Sequence, residues 1–177
     1  MGRIQLIYHS ETGFTERYAR WIANELNCDC VRFDKSITVD VSKADDVLII
    51  GSPVHGGELA RKRDIERIVS HAGQAQVMCF ATGVAEAEEG IANSLLKASF
   101  TDPTRISLTY LPGGFDSEKL EQRTKTLLFL LRLMLKHRRN LSEKQKLLLR
   151  RTEVSGDYTD KELIGSFVSE VMRQVKS

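Results

Sequence analysis

The sequence predicts an α/β fold of three layers, a five-stranded parallel sheet between two layers of helices. Short apolar runs recur along the chain and alternate with segments whose apolar residues fall at helical spacing. The runs are continuously apolar, as strands covered on both faces are. At 177 residues, 41% hydrophobic and 28% charged, the chain has the size and composition of one compact domain that can bury such a sheet.

Arg3 to Tyr8 is the first strand, an apolar run that ends in a polar loop. Tyr18, Ile22, Ala23 and Leu26 then recur on one face, so Thr15 to Leu26 is an amphipathic helix. Cys30 to Phe33 is a short second strand, and Asp46 to Ile50 is a third that runs into Gly51-Ser52-Pro53. A helix over Arg61 to Ala72 carries Ile65, Ile68 and Val69 on one side. Gln76 to Ala81 is the fourth strand, Glu88 to Phe100 a helix, and Ile106 to Leu111 the fifth strand, which ends in Pro112-Gly113-Gly114. Ser117 to Arg139 and Lys161 to Val175 are helical. The whole of 1–177 is expected to be one domain, with a helical apolar-basic insertion at about 116–152.

No signal peptide is expected, because Met1-Gly2-Arg3 leads straight into a strand pattern. The longest nearly apolar stretch, Leu127 to Leu135, is far short of the ~20 residues that span a bilayer. The three cysteines include the closely spaced Cys28 and Cys30, and read as free thiols of a cytoplasmic protein, not as metal ligands. The net charge of +2 conceals an asymmetry: 132–151 holds eight bases against Glu143, a +7 segment that leaves −5 elsewhere.

In parallel sheets ligands sit at the carboxyl ends of the strands, which directs attention to the loops there. The loop after the first strand, His9-Ser10-Glu11-Thr12-Gly13-Phe14-Thr15, sets three hydroxyls and a glycine before a helix. Free backbone N–H groups and the positive end of the helix dipole favour a phosphate at such a place. Ser10, Thr12 and Thr15 can donate hydrogen bonds, and Gly13 permits a tight turn close to the anion. The loop has no lysine or arginine, and neither Gly-x-x-x-x-Gly-Lys nor Gly-x-Gly-x-x-Gly occurs in the chain. A single phosphate monoester held by neutral donors suits FMN; helix capping by the same hydroxyls is the competing reading.

Tyr8 to Thr15, with Ala19 following, resembles the FMN-phosphate signature of flavodoxins: hydroxyl-x-Thr-Gly-x-Thr after a first strand. The order of strands and helices is similar across most of the chain. The resemblance implies a flavodoxin-like α/β/α sandwich with strand order 2-1-3-4-5. It places the phosphate loop, Ser10, Glu11, Thr12, Gly13, Phe14 and Thr15, against FMN. It also places Pro53, Val54, His55, Gly56 and Gly57, after the third strand, beside the isoalloxazine ring, with Thr82 and Gly83 after the fourth. His55 is the candidate catalytic residue, as the one side chain of its loop able to donate to reduced flavin or substrate; a surface histidine is the alternative. No aromatic lies in 51–79 or 81–99, which leaves the ring without the wall that shuttle flavodoxins provide. Phe115 is a substrate platform or a packing residue for the next helix.

The segment Thr126 to Arg139 is apolar nearly all round and then abruptly basic. More than one apolar stripe exceeds what core packing needs. The excess suits a partner subunit (a homodimer) or the edge of a membrane, with 127–151 meeting anionic headgroups or a redox partner. A thoroughly buried helix with a solvated basic end is the other reading. In layout the segment is similar to that of flavodoxin-type protoporphyrinogen oxidases, which pass electrons to menaquinone. Nucleic acid is not the expected partner, since the cluster lacks interleaved aromatics. The expectation is an FMN-dependent oxidoreductase acting between a small-molecule substrate and a quinone-like acceptor, cytoplasmic or peripheral to the inner face of a membrane. An electron-transfer module and an FMN-free interaction module are the alternatives.

Overall fold

The structure is a computed structural model and describes residues 2–34, 36–119, 122–137 and 141–176. Strands β1 (Ile4–Tyr8), β2 (Cys30–Arg32) and β3 (Val47–His55) come first, with helix α1 (Phe14–Leu26) between β1 and β2. A two-residue β4 (Glu58–Leu59) precedes α2 (Lys62–Ser70), followed by β5 (Gln76–Gly83), α3 (Ile91–Ser99), β6 (Ile106–Pro112) and β7 (Gly114–Phe115). Helices α4 (Gln122–Lys136) and α5 (Glu143–Glu153) lead to β8 (Gly156–Asp157), a 3-10 turn over Lys161–Ile164, and α6 (Gly165–Lys176). The sheet runs β2-β1-β3-β5-β6, all parallel, the five strands and the order expected.

The pleat divides the core. Leu6, Val47, Ile49, Met78 and Phe80 pack with Tyr18 and Ile22 of α1 and Phe167 and Val171 of α6. Ile7, Leu48, Ile50, Val77 and Cys79 point the other way, onto Ile65 and Ile68 of α2 and Leu95 of α3. Alternate residues of one apolar run therefore serve opposite layers, which is why the strands read as continuously apolar. Where Gly51 of β3 pairs with Phe80 of β5 the backbone must be bare, because a Cβ on Gly51 would lie 2.2 Å from Phe80 Cζ.

Several boundaries differ from the expectation, for local reasons. Gly51 to His55 was expected as a loop, but β3 runs on to His55 and turns back through Gly56 and Gly57 (φ 62° and 88°) into β4. Positive φ at both central residues of a two-residue turn is what a tight hairpin of matching twist demands. Likewise Thr82 and Gly83 belong to β5 and pair with Leu111 and Pro112. Of the expected helix from Ser117 to Arg139, Gln122–Lys136 is helical and Ser117 to Lys119 form a turn; Leu120, Glu121, Arg138 and Arg139 lie outside the described residues. A separate helix, α5, follows with a capping box: Gln145 N–H donates to Ser142 Oγ, and the Gln145 side chain accepts from Ser142 N–H.

The chain leaves the sheet at β7 and returns beside it at β8, which pairs antiparallel with β7. The return is pinned: Tyr158 N–H donates to Gly113 O, Arg17 pairs with Asp157, and Tyr18 O–H donates to Pro112 O while accepting from Asp160 N–H.

Asp46, 1% exposed, closes the other end of the sheet. Its carboxylate accepts from the Arg3, Ser42 and Lys43 backbone N–H groups at 2.8, 2.9 and 3.1 Å, and from Arg3 Nη2 at 3.3 Å. These bonds, the Arg3 amide foremost, outweigh burial and hold the carboxyl well below the usual range. A depressed native pKa stabilises the fold above the unfolded value of about 4 and loses that contribution as pH falls below it. Asp46→Asn turns an amide NH₂ toward backbone donors, and is expected to cost about 2 kcal/mol at pH 7 and to flatten the acid limb. Urea unfolding at pH 7 and pH 3 checks both; an unchanged acid limb would refute the assignment.

Candidate functional site

The loop between β1 and α1 folds as a cup. Gly13 takes φ +93° as the N-cap residue of α1, and its N–H donates to Ser10 Oγ at 3.1 Å. Among the described residues no side chain caps α1, so the amides of its first turn remain for an acceptor outside the helix. A Cβ built on Gly13 meets nothing within 4 Å, so the turn faces open space. Thr15 lies deeper, its hydroxyl 2.7 Å from that of Thr82 in a buried pair that ties the loop to β5. The loop itself carries no lysine or arginine, yet the fold supplies a guanidinium: Arg32, at the end of β2, donates from Nη2 to Ser10 O at 2.6 Å. Nothing in the local sequence of the loop signals this guanidinium, because it comes from a neighbouring strand.

Beside the cup lies a cavity of about 340 Å³, within the range typical of small-molecule sites (roughly 300–1,000 Å³). The structure brings Glu11, Thr12 and Phe14 of the first loop to its wall, with Pro53, Val54, His55 and Gly56 of β3 and its turn, and Thr82 and Gly83 of β5. Ser10, Gly13, Thr15 and Gly57 are not in the lining. Gly57, like Gly13, has a positive φ and no atom within 4 Å of a built Cβ.

Glu11 makes contacts the sequence does not announce. Its Oε1 lies 3.5 Å from His55 Nε2 and 3.8 Å from His9 Nε2, and its side chain is only 8% exposed.

The remaining wall comes from Val84, Gly114, Phe115, Leu128, Leu130, Met134 and Thr152. Gly114 must lack a side chain, since a Cβ there would lie 2.3 Å from Phe14 Cζ. The loops after β3 and β5 contain no aromatic, but Phe14 and Phe115 bring two rings from elsewhere. Phe115 is 5% exposed and stands under the Arg132 guanidinium at 5.7 Å, so it both packs and lines the cavity. Arg151 of α5 fastens the helical segment to the site by donating to Val84 O and Glu86 Oε1, each at 3.0 Å, while stacking on Tyr158 at 4.3 Å.

Helix α4 is not thoroughly buried. Phe129 and Met134 are each 64% exposed, Leu130 and Leu133 somewhat less. The side chains of Leu127, Leu131, Leu135, Lys136 and Lys144 lie outside the described residues, as do Arg138 and Arg139. Among the described residues no helix is long and apolar enough to cross a membrane.

The cysteines stand apart from the cavity. Cys79 is wholly buried in the sheet, where burial pushes its thiol up to about 12. Burial, with the neighbouring Cys30, raises Cys28 to about 11. Thiols so disposed are poor nucleophiles at neutral pH. Among the described residues no group of three or more His, Cys, Asp or Glu is placed to hold a metal ion.

A family model described as a flavodoxin domain matches residues 5–145. No curated protein sequence matches the chain. Among solved structures the chain is similar to a flavoprotein from Bacteroides uniformis (18% identity, TM-score 0.45, 72% of this chain and 98% of that one). It is similar also to a WrbA-like flavodoxin protein from Agrobacterium tumefaciens (16%, 0.44, 72% and 90%). A flavoprotein from Lactobacillus acidophilus in complex with FMN is a third (17%, 0.44, 63% and 93%).

Proposed function

Since this chain belongs to the flavodoxin domain family, we propose that it binds FMN and works as an oxidoreductase between an organic substrate and a quinone-like acceptor. The observation that carries the reading is the convergence of three strand ends on one cavity, beside a helix N-terminus that no side chain of the described residues caps. That arrangement suits a flat ring joined to one phosphate. In this reading the α1 amides, with Ser10, Thr12, Gly13 and Thr15, hold the phosphate, and Arg32 adds positive potential behind Ser10. Pro53 to Gly57, Thr82 and Gly83 bed the ring. Bound flavin supplies the capacity to take two electrons from one molecule and return them to another. The protein supplies orientation and keeps water from the ring, through Phe14, Phe115, Leu128 and Leu130.

The apolar roof, with Arg132 and Arg151 close by, favours a flat substrate that also bears acidic groups, such as a porphyrin, and so a protoporphyrinogen oxidase-like reaction. The exposed Phe129, Leu133 and Met134, beside the basic stretch that follows, favour contact with an anionic membrane surface where a quinone would be met. Phe14 and Phe115 in the wall favour the second reading, a one-electron carrier whose rings shield the flavin.

The visible spectrum of the purified protein tests the first claim: a flavin spectrum with about one FMN released per chain is expected. Protein that is colourless, and stays so with excess FMN, would overturn the reading and leave an interaction module. Anaerobic titration with dithionite then separates the two redox readings, since an accumulating one-electron form favours the carrier.

A further inference from the structure

We propose that Glu11 and His55 form a carboxylate–imidazole dyad that takes up, at His55 Nδ1, the proton an organic substrate releases as it is oxidised. The proposal rests on reading the cavity as a flavin site.

The geometry starts from Glu11. A carboxylate side chain only 8% exposed loses most of its hydration and must be compensated by donors. Two imidazoles close on the same oxygen, His55 at 3.5 Å and His9 at 3.8 Å, each through Nε2. At 3.5 Å the His55–Glu11 contact is an ion-pair-range approach and not yet a hydrogen bond; a neutral imidazole that closes on the carboxylate donates from Nε2, and its Nδ1 then carries the lone pair. Of the ring nitrogens of His55, Nδ1 is therefore the one left for a molecule in the cavity that His55 lines.

Both imidazoles are held by backbone. His55 ends β3 and pairs with Glu58 across the tight turn at Gly56 and Gly57. His9 donates its backbone N–H to Gly51 O at 2.8 Å, and its ring lies 6.0 Å from that of Phe33, 47° out of its plane. His9 is 7% exposed and absent from the cavity lining, so it steadies the carboxylate from behind. Glu11 and His9 are positioning residues, and His55 is the group that meets the substrate.

The chemistry balances. A substrate that gives up two electrons gives up two hydrogens as well. One leaves with the electron pair to the flavin. The other leaves as a proton: its bond to the substrate heteroatom breaks as a bond to His55 Nδ1 forms. The quinone-class acceptor takes two electrons and two protons, and the proton on His55 is one of them. The dyad thus serves a substrate that is a hydrogen donor, and adds nothing to reduction by an inorganic one-electron donor.

Two measurements test this. In flavin-free protein, imidazole nitrogen shifts are expected to report the Nε2–H form for His55, and Glu11→Gln to abolish that bias. His9→Gln is expected to weaken the bias in the same direction, which keeps the test alive should Glu11→Gln fail to fold. In FMN-loaded protein reduced with dithionite, anaerobic reoxidation by menadione, which draws its proton from His55 Nδ1, is expected to slow about a hundredfold in His55→Gln and about tenfold in Glu11→Gln. Dithionite reduction of the same variants, which draws no proton through His55, is the reference rate: altered flavin access or loading shows in both rates, a lost proton relay only in the first. Unaltered menadione rates in both variants, or a tautomer indifferent to Glu11, would overturn the dyad. If even the unaltered chain takes up no FMN, the flavin reading falls, while the tautomer comparison still decides the Glu11–His55 pairing.

Discussion

Replacing Phe80 by alanine is expected to lower folding stability by about 3–5 kcal/mol, the range for aromatic-to-alanine changes in cores that cannot collapse. Phe80 is 0% exposed, in a strand paired on one side to β3 and on the other to β6. Its ring lies over the bare backbone of Gly51 and meets Phe167 of α6 edge-on at 6.0 Å. Removing it leaves a void bounded by two strands and a helix that hydrogen bonds keep in place, so the lost contacts are not recovered. Urea denaturation should show a lower midpoint with an unchanged slope. The site has a reciprocal variant. Gly51→Ala would place a methyl 2.2 Å from Phe80 Cζ and is expected to destabilise by about 1–3 kcal/mol through overpacking. Combined with Phe80→Ala it should cost less than the sum of the two, because the new methyl enters the space the ring vacated. Full additivity would show that the two residues do not share that space.

Gly13→Asp is expected to weaken FMN binding at least about a hundredfold, or about 2.7 kcal/mol, while riboflavin affinity falls far less. A carboxylate would then stand at the N-cap of α1, where the proposed phosphate meets free amides, and two negative charges would compete for the same donors. The space there is open, and aspartate is among the L residues that tolerate a left-handed backbone, so the fold should survive. Fluorescence-quenching titrations with the two ligands give the ratio directly. Equal losses for FMN and riboflavin would move the phosphate away from this loop, and loss of neither would remove the flavin from the cavity.

How much of this was legible depended on whether the signal was local. The phosphate-loop candidate rests on residues within a few positions of one another, and the cup they form around Gly13 follows from a glycine placed where the chain must turn into a helix. The extension of β3 to His55 was missed because Gly51, Ser52 and Pro53 look like a loop, whereas pairing to Phe80, Ala81 and Thr82 of β5 holds them extended. Strand pairing of this kind overrides local propensity. Phe14 and Phe115 were each singled out within their own loops, but that they share one wall was not legible: they are about a hundred positions apart and meet only because β1 and β6 end on the same edge of the sheet. Arg32 beside Ser10, and Thr82 against Thr15, are contacts of the same type.

The sequence by itself determined the layers, the five parallel strands and the loop before α1, because hydrophobic period and glycine placement act through neighbours along the chain. Only the tertiary structure decided what surrounds that loop. Two imidazoles close on Glu11, a guanidinium stands behind Ser10, and Arg151 clasps the α4–α5 segment at the cavity's edge. The physical reason is that charge and hydrogen bonding act over a few ångströms of space, and parallel crossovers bring together residues that the chain keeps far apart.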